Sequence, residues 1–354
     1  MEITEDMIIQ PTKHSRLQEV DFNNLGFGNY MSDHMLMCNY ANGEWSTPQI
    51  TAFTNLSISP TTLALHYGQA VFEGLKAFRM DDGRINIFRI QKHYERLVKS
   101  LDRMCMVIVP EEIFTEGIHR LVELDKNWVP AQAGASLYIR PLVFASEAKF
   151  GVKVSEEYCF VVFSGPVAQT FQKPIKLKVE TDYIRAAKGG TGYAKCAGNY
   201  GGAFYATHKA REAGYDQVLW TDARDHNYIE ESGMMNAMFV IDGKLVTPPL
   251  SDSILDGITR DSLLALAEDL NIPHESRPIS IDELEKAFRL NTISEAFGAG
   301  TAAVVAPVSV IHINGVDHHL PDYGPGAVMF RLQEKLEAVR SGKDADKFGW
   351  NYLF

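Results

Sequence analysis

Long apolar runs are missing from this chain. None of its 354 residues belongs to an uninterrupted apolar stretch approaching the ~18 that a bilayer-spanning helix needs, so no transmembrane segment is expected. Cysteine is scarce as well. Cys38, Cys105, Cys159 and Cys196 stand far apart and form no Cys-x-x-Cys pair. That pattern argues against a disulfide framework or a cysteine zinc site and reads as reduced thiols of a cytoplasmic protein. Basic residues are outnumbered, and the net charge of −11 argues against nucleic acid or an anionic membrane as partner. The histidines are scattered; the one adjacent pair, His318-His319, lies in a loop-like stretch without carboxylates at ligand spacing, so no metal site is expected. Internal repeats and low-complexity segments are absent. The first residues, Met1-Glu2-Ile3-Thr4-Glu5-Asp6, are acidic and lack the basic-then-apolar layout of a signal peptide.

What is present is ordinary for a globular protein: 45% hydrophobic and 22% charged residues, with length enough for two domains that each bury a core. Helical spacing of Tyr94, Leu97, Val98, Leu101 and Met104 predicts a helix over 91–105. Apolar, aromatic and β-branched runs predict strands over 137–144 and 158–163, the first an edge or bulged strand because of Pro141. A proline-bracketed stretch without period then marks a linker. The expected division is a smaller N-terminal α/β domain over 1–165, a linker over 166–175 and a larger C-terminal domain over 176–354. In the latter, Ile175, Leu177 and Val179 alternate as a strand, a helix follows over 198–213, strands over 217–221 and 237–241, and a helix opens at Thr259. The fold class is α/β (or α+β), with a cleft expected where the domains meet.

Lys195 stands in a glycine-rich run, Lys188-Gly189-Gly190-Thr191-Gly192-Tyr193-Ala194-Lys195-Cys196-Ala197-Gly198-Asn199-Tyr200-Gly201-Gly202. Glycines leave a backbone little cover, which suits a lysine that must form and exchange a Schiff base with a bulky flat cofactor. The run matches neither a Walker loop nor a dinucleotide fingerprint, since Lys195 follows an alanine and no Ser or Thr comes after it.

Tyr193-Ala194-Lys195-Cys196-Ala197-Gly198-Asn199-Tyr200 resembles the lysine motif of the branched-chain amino acid aminotransferases, pyridoxal phosphate enzymes of fold type IV. Further motifs of that family occur in order: Asp33-His34-Met35-Leu36-Met37, His66-Tyr67-Gly68, Phe72-Glu73-Gly74-Leu75-Lys76-Ala77-Phe78, Phe88-Arg89, Tyr138-Ile139-Arg140-Pro141, Glu231-Ser232-Gly233-Met234-Met235-Asn236, Gly257-Ile258-Thr259-Arg260 and Phe297-Gly298-Ala299-Gly300-Thr301. The resemblance implies a two-domain fold whose C-terminal domain binds pyridoxal 5'-phosphate, a homodimer, and ping-pong transamination between leucine, isoleucine or valine and 2-oxoglutarate. A D-amino acid aminotransferase or an aminodeoxychorismate lyase shares the fold, but such relatives generally lack the stretch that holds Asp33-His34-Met35-Leu36-Met37. A binding module that has lost its catalysis would lack the lysine or the ring-nitrogen carboxylate, and both are here.

The cofactor asks for an amine, a carboxylate at its ring nitrogen and a phosphate cradle. Lys195 is the amine and the proton carrier. Glu231, two residues before Gly233, is the carboxylate, which leaves Glu230 as an exposed or strand-edge charge. Arg89 offers a fork of donors after a strand, and the amides of Ile258 and Thr259 open a helix towards an anion. The resemblance adds Tyr200 at the phenolic oxygen, Arg185 as pocket support, and Thr301 at the phosphate or, with Ala302, the substrate carboxylate. On the substrate side it implies Phe27, Tyr67, Phe72, Tyr138 and Arg140, with Phe150 and Val152 reaching across the dimer. An aromatic wall suits an aliphatic side chain. Arg140, with Tyr67 as a neighbouring hydroxyl donor, is expected to meet the distal carboxylate of 2-oxoglutarate. Two departures stand out. No Cys-x-x-Cys pair follows Thr301, which excludes the thiol switch of some relatives, and Met234 stands where relatives carry threonine.

Overall fold

The computed structural model describes residues 7–168 and 173–354; the acidic start and part of the linker read over 166–175 lie outside the described residues. Two units result, and they do not follow each other in sequence. The first holds the described residues up to 168 together with Ala194–Gly198 and Val339–Phe354. The second holds residues 173–193 and Asn199–Ala338. The lysine segment and the chain's end thus belong to the first unit and not to a C-terminal domain that takes everything from 176 onward.

The first unit is built on a sheet whose path runs Ile8–Ile9, Gln49–Ala52, His34–Ala41, Tyr158–Val167, Ser136–Ala145, Leu75–Arg79, Ile85–Phe88 and Asn351–Leu353. Side chains of Ser136–Ala145 alternate between buried and half-buried, as the two-residue period of a strand demands. That strand is central, not an edge: Tyr158–Val167 pairs along one side, and it tolerates Pro141 because its neighbour on the other side is interrupted. Ala70–Phe72 and Leu75–Arg79 pair with it in turn, and the break between them faces Pro141. Glu73 N–H donates to Pro141 O at 2.8 Å. The N–H that proline lacks would point the same way, into the break, so no ladder bond is lost.

Helix Ile90–Arg103 buries Ile90, Leu97 and Leu101 on one face, as the period predicts, but His93, Arg96 and Ser100 share that face. With helix Glu111–Leu124 it closes a core that includes Phe114, Ile139, Phe160 and Cys196.

The sheet path of the second unit is Ile229–Ser232, Gln217–Thr221, Ile175–Glu180, Val304–Ile313, Ile293–Gly300, Met235–Ile241, Lys244–Thr247 and His274–Ser276. An additional pairing of Ile229–Ser232 with Met235–Ile241 closes six of these strands on themselves, which removes their free edges. Helices Gly198–Glu212, Ile258–Asp269 and Ile281–Leu290 accompany the sheet.

Candidate active site

Lys195 is held as part of a short added strand. Phe72 N–H donates to Lys195 O at 3.1 Å, Ala197 N–H donates to Ala70 O at 2.9 Å, and Val71 faces Cys196 as an antiparallel bridge. Alternation sends Cys196 into the core, where it is 2% exposed, and Lys195 to the other face. The Lys195 Nζ lies 4.9 Å from the centroid of the Phe72 ring, and its amide donates to Ser100 Oγ at 2.9 Å.

The same Phe72 ring carries a second cation. The Arg140 guanidinium lies 4.6 Å from its centroid and 5.3 Å from that of Tyr138. Tyr138 and Arg140, two apart on one strand, share a face, and Arg140 Nη2 donates to the Tyr138 hydroxyl at 3.0 Å. That hydroxyl has room because residue 74 is glycine; a Cβ there would strike it. Arg140 Nε is buried without a hydrogen-bond partner, and among the described residues no carboxylate pairs with Arg140. Phe27 packs edge-on against Tyr138 with centroids 5.0 Å apart. Phe27, Tyr30, Met31, Tyr138, Arg140 and Phe163 line a cavity of about 180 Å³. The hydroxyl at Arg140 is therefore that of Tyr138, not of Tyr67 as the sequence suggested. Tyr67 is partly exposed at the end of the short helix Leu63–Tyr67, beside His66. Phe150 and Val152 are each 85% exposed.

Arg89 is the residue before helix Ile90–Arg103, in a left-handed backbone conformation with φ 55° that side-chain-bearing residues seldom adopt. Trp350 holds it there. Arg89 N–H donates to Trp350 O at 2.7 Å, and the guanidinium stacks 4.8 Å from the centroid of the Trp350 ring, itself stacked on Phe348. Nothing in the sequence pointed to Trp350, far along the chain; only a pairing of Asn351–Leu353 with Ile85–Phe88 brings it close.

In the second unit a tight hairpin presents Glu231. Gly233 makes the turn with φ 58°, a conformation glycine adopts without penalty, and Glu231 faces Asn236 across the strands. This pair clamps one residue: Glu231 Oε1 accepts from Leu255 N–H at 2.7 Å, and Asn236 Nδ2 donates to Leu255 O at 2.9 Å. Glu231 Oε2 is 3.3 Å from Arg185 Nε, and Arg185 Nη2 donates to the carbonyls of Gly192 and Ser253. Glu230, expected as an exposed charge, is buried instead. One of its oxygens accepts from Ser253 Oγ and the other has no partner. Burial pushes its carboxyl up, opposed by the Ser253 bond and the Arg185 charge.

The clamped segment leads into helix Ile258–Asp269, whose N-cap is Gly257 and brings no side-chain cap. Thr259, expected to open the helix, lies one residue inside it and is buried. Asn236 Oδ1 approaches Gly257 so closely that a Cβ would collide with it. Arg260 points elsewhere, donating to Pro248 O and Ser276 Oγ.

Thr301 and Ala302 form a turn with Ala303, because Gly300 pairs with Val304. Val304, a β-branched residue at φ 64°, makes its exit strained. Tyr200 is half-buried in the first turn of helix Gly198–Glu212. Gly192, in the run before Lys195, serves packing: a Cβ there would fall within 2.6 Å of Ser253 Cα. Asn199 ties the run to its helix through two bonds with Thr191.

Comparison with known proteins gives the chain its family. The amino-transferase class IV family model matches residues 70–311. Branched-chain-amino-acid transaminase 1 of Bacillus subtilis (strain 168) is 44% identical over 338 residues, 94% of this chain and 95% of that protein. Among solved structures, the branched-chain amino acid aminotransferase from Escherichia coli aligns with TM-score 0.72 at 27% identity, over 90% of this chain and 98% of that one. The branched-chain aminotransferase from the thermophilic archaeon Thermoproteus uzoniensis, solved with norvaline, aligns with TM-score 0.73 at 25% identity, over 90% of this chain and 99% of that one.

Proposed function

The chain belongs to the class IV aminotransferases, and from that premise we propose that it moves the amino group between L-leucine, L-isoleucine or L-valine and 2-oxoglutarate with pyridoxal 5'-phosphate as cofactor. When bound, pyridoxal phosphate supplies an aldehyde that takes up the amino group and a ring that accepts the electrons left as the Cα proton departs. The residues fit that group. Lys195 Nζ would be the amine that holds it, and as a free amine would carry the substrate Cα proton as base and then acid. Glu231, 3% exposed and oriented by Leu255 and Arg185, would be the carboxylate that keeps a proton on the ring nitrogen. Arg89 and the Ile258 and Thr259 amides are assigned to the phosphate, Tyr200 to the phenolic oxygen, and Thr301 to the phosphate or, with Ala302, to the substrate carboxylate.

The observation that carries the substrate reading is Arg140, a cation that pairs with no carboxylate among the described residues, set among the rings of Phe27, Phe72 and Tyr138. Such a wall gains from an aliphatic side chain leaving water, while the guanidinium stands ready for a carboxylate. The exposed Phe150 and Val152 support the reading that each covers the pocket of a second copy, so the working unit is a homodimer. Four free thiols are in keeping with a cytoplasmic location, which is part of the same proposal.

The test uses the purified protein with pyridoxal phosphate. Borohydride should fix the cofactor as a pyridoxyl group on the peptide containing Lys195, and leucine, isoleucine and valine should each donate to 2-oxoglutarate. A label on Lys188, or turnover of D-alanine or aminodeoxychorismate in place of the branched-chain substrates, would overturn it.

A further inference from the structure

Two elements of the first unit meet at Lys195, and one buried carboxylate joins them. The edge strand Ala70–Phe72 supplies the donor to the Lys195 carbonyl, and helix Ile90–Arg103 supplies the acceptor for its amide, the Ser100 hydroxyl. Ser100 is fully buried. Its own proton goes to Arg96 O at 2.9 Å, which leaves its oxygen to accept from Lys195.

Glu73 directly follows the strand and is also fully buried. It accepts from Arg96 Nε at 2.7 Å and Nη2 at 2.9 Å, and from His93 Nδ1 at 2.7 Å. Burial alone would push its carboxyl up, but Arg96 and then His93 outweigh that and hold it well below the usual carboxylate range. Burial pushes His93 down; Glu73 opposes the fall while the Arg96 and Lys195 charges add to it. Nδ1 of the imidazole faces that carboxylate and donates its proton to it.

Burying a carboxylate and a guanidinium is a costly way to fasten a helix to a strand, since apolar residues of similar volume often do as well or better. A two-pronged ion pair does provide one fixed register. Here that register sets the spacing of the two backbone bonds that aim Lys195.

We propose that Glu73, Arg96 and Ser100 are positioning residues for Lys195: the ion pair fixes helix against strand, and the two elements together orient the reacting amine. This rests on Lys195 being the reacting lysine. Misplacing a reacting group by about 1 Å costs on the order of a hundredfold in rate, so Ser100→Ala should lower kcat about 10- to 100-fold while moving KM by less than about threefold. In the apoprotein, amide exchange at Lys195 should speed up at least about tenfold, with the strand Ser136–Ala145 still protected. Ser100→Thr, which keeps the hydroxyl, should restore both. Glu73→Gln should reproduce the Ser100→Ala signature; because that variant leaves the Arg96 charge buried and is at risk of not folding, Ser100→Ala decides the matter. A borohydride label on Lys195 in the wild type, with unchanged kcat in Ser100→Ala, overturns the positioning role alone. So does a fall in kcat while the Lys195 amide stays protected. A wild-type label on another lysine overturns the assignment of Lys195 and the positioning role with it.

Discussion

Arg140 and Glu231 are both buried or half-buried ionic side chains, yet their surroundings prepare them for different tasks. Arg140 rests on two aromatic faces, gives one bond to a tyrosine hydroxyl and keeps Nε without a partner. Among the described residues no carboxylate pairs with it, and one reaching the cavity would complete it. Arg140→Met should therefore weaken the glutamate and 2-oxoglutarate half-reaction by about 2–3 kcal/mol, the scale of a charged hydrogen bond, and spare the leucine half-reaction. Single-turnover rates with each amino acid alone would show it; equal losses for both would mean that Arg140 only holds the site together. Glu231 is the opposite case, already fixed by Leu255 and Arg185. Glu231→Gln keeps that volume but removes the charge that retains a proton on the ring nitrogen. Cα-proton removal should slow far more than amino acid binding weakens, measured as the isotope-sensitive rate against the dissociation constant. Glu230, equally buried but bonded to Ser253, is the internal control: a harmless Glu231→Gln beside a damaging Glu230→Gln would exchange their roles.

At the scale of elements, the start of helix Ile258–Asp269 shows what local sequence can and cannot say. Gly257 has an ordinary negative φ, so no turn type demands glycine; the demand comes from Asn236, which crowds it while holding Leu255 O. Gly257→Ala should force Asn236 off that carbonyl and shift the first helical amides. If those amides hold phosphate, pyridoxal phosphate affinity should fall by about tenfold or more, consistent with the 1–3 kcal/mol of a displaced buried polar group. Equilibrium titration of the apoprotein reads this, and an unchanged affinity beside a lowered melting temperature would make the glycine purely structural. The helix itself was legible from its period, and so was helix Ile90–Arg103. Less legible was everything set by partners distant in sequence. Pro141 looked like an edge marker because the break in the neighbouring strand is not visible locally. Glu230 looked like a surface charge because its partner, Ser253, lies beyond any local pattern. The Arg89 backbone is supported by Trp350, and no period connects the two. Apolar spacing also marked the core face of helix Ile90–Arg103 without revealing that His93, Arg96 and Ser100 share it, since Glu73, which accepts from the first two, and Lys195, which donates to the third, lie outside that helix.

The molecule as a whole carries an ionisable group whose effect on stability can be isolated by choice of pH. Lys76 is buried in the first unit near Arg340, and burial first, then the Arg340 charge, push its ammonium down to about 7. Unfolding returns it to the ordinary lysine value of about 10.4. Between those two values the unfolded chain binds more protons than the folded one, so stability rises with pH, by at most about 1.4 kcal/mol per pH unit. Other groups act outside this window. His93, pushed down, raises stability with pH only below about 6.5. Glu73 loses its stabilising effect only as pH falls below the ordinary carboxylate range. Cys38 and Cys159, pushed up by burial to about 11, oppose the trend only above about 8.5. The interval from about pH 7 to about 8.5 therefore belongs chiefly to Lys76. The melting temperature of the first unit should rise by a few degrees across it. Lys76→Met, close in length and without the charge, should melt higher than the wild type at the lower end of that interval and show little change to its upper end. Scanning calorimetry of both proteins at matched ionic strength makes the comparison. A wild-type profile that stays flat over this range would mean that Lys76 keeps its proton in the folded state, and that its neighbours in the first unit offset both its burial and the charge of Arg340.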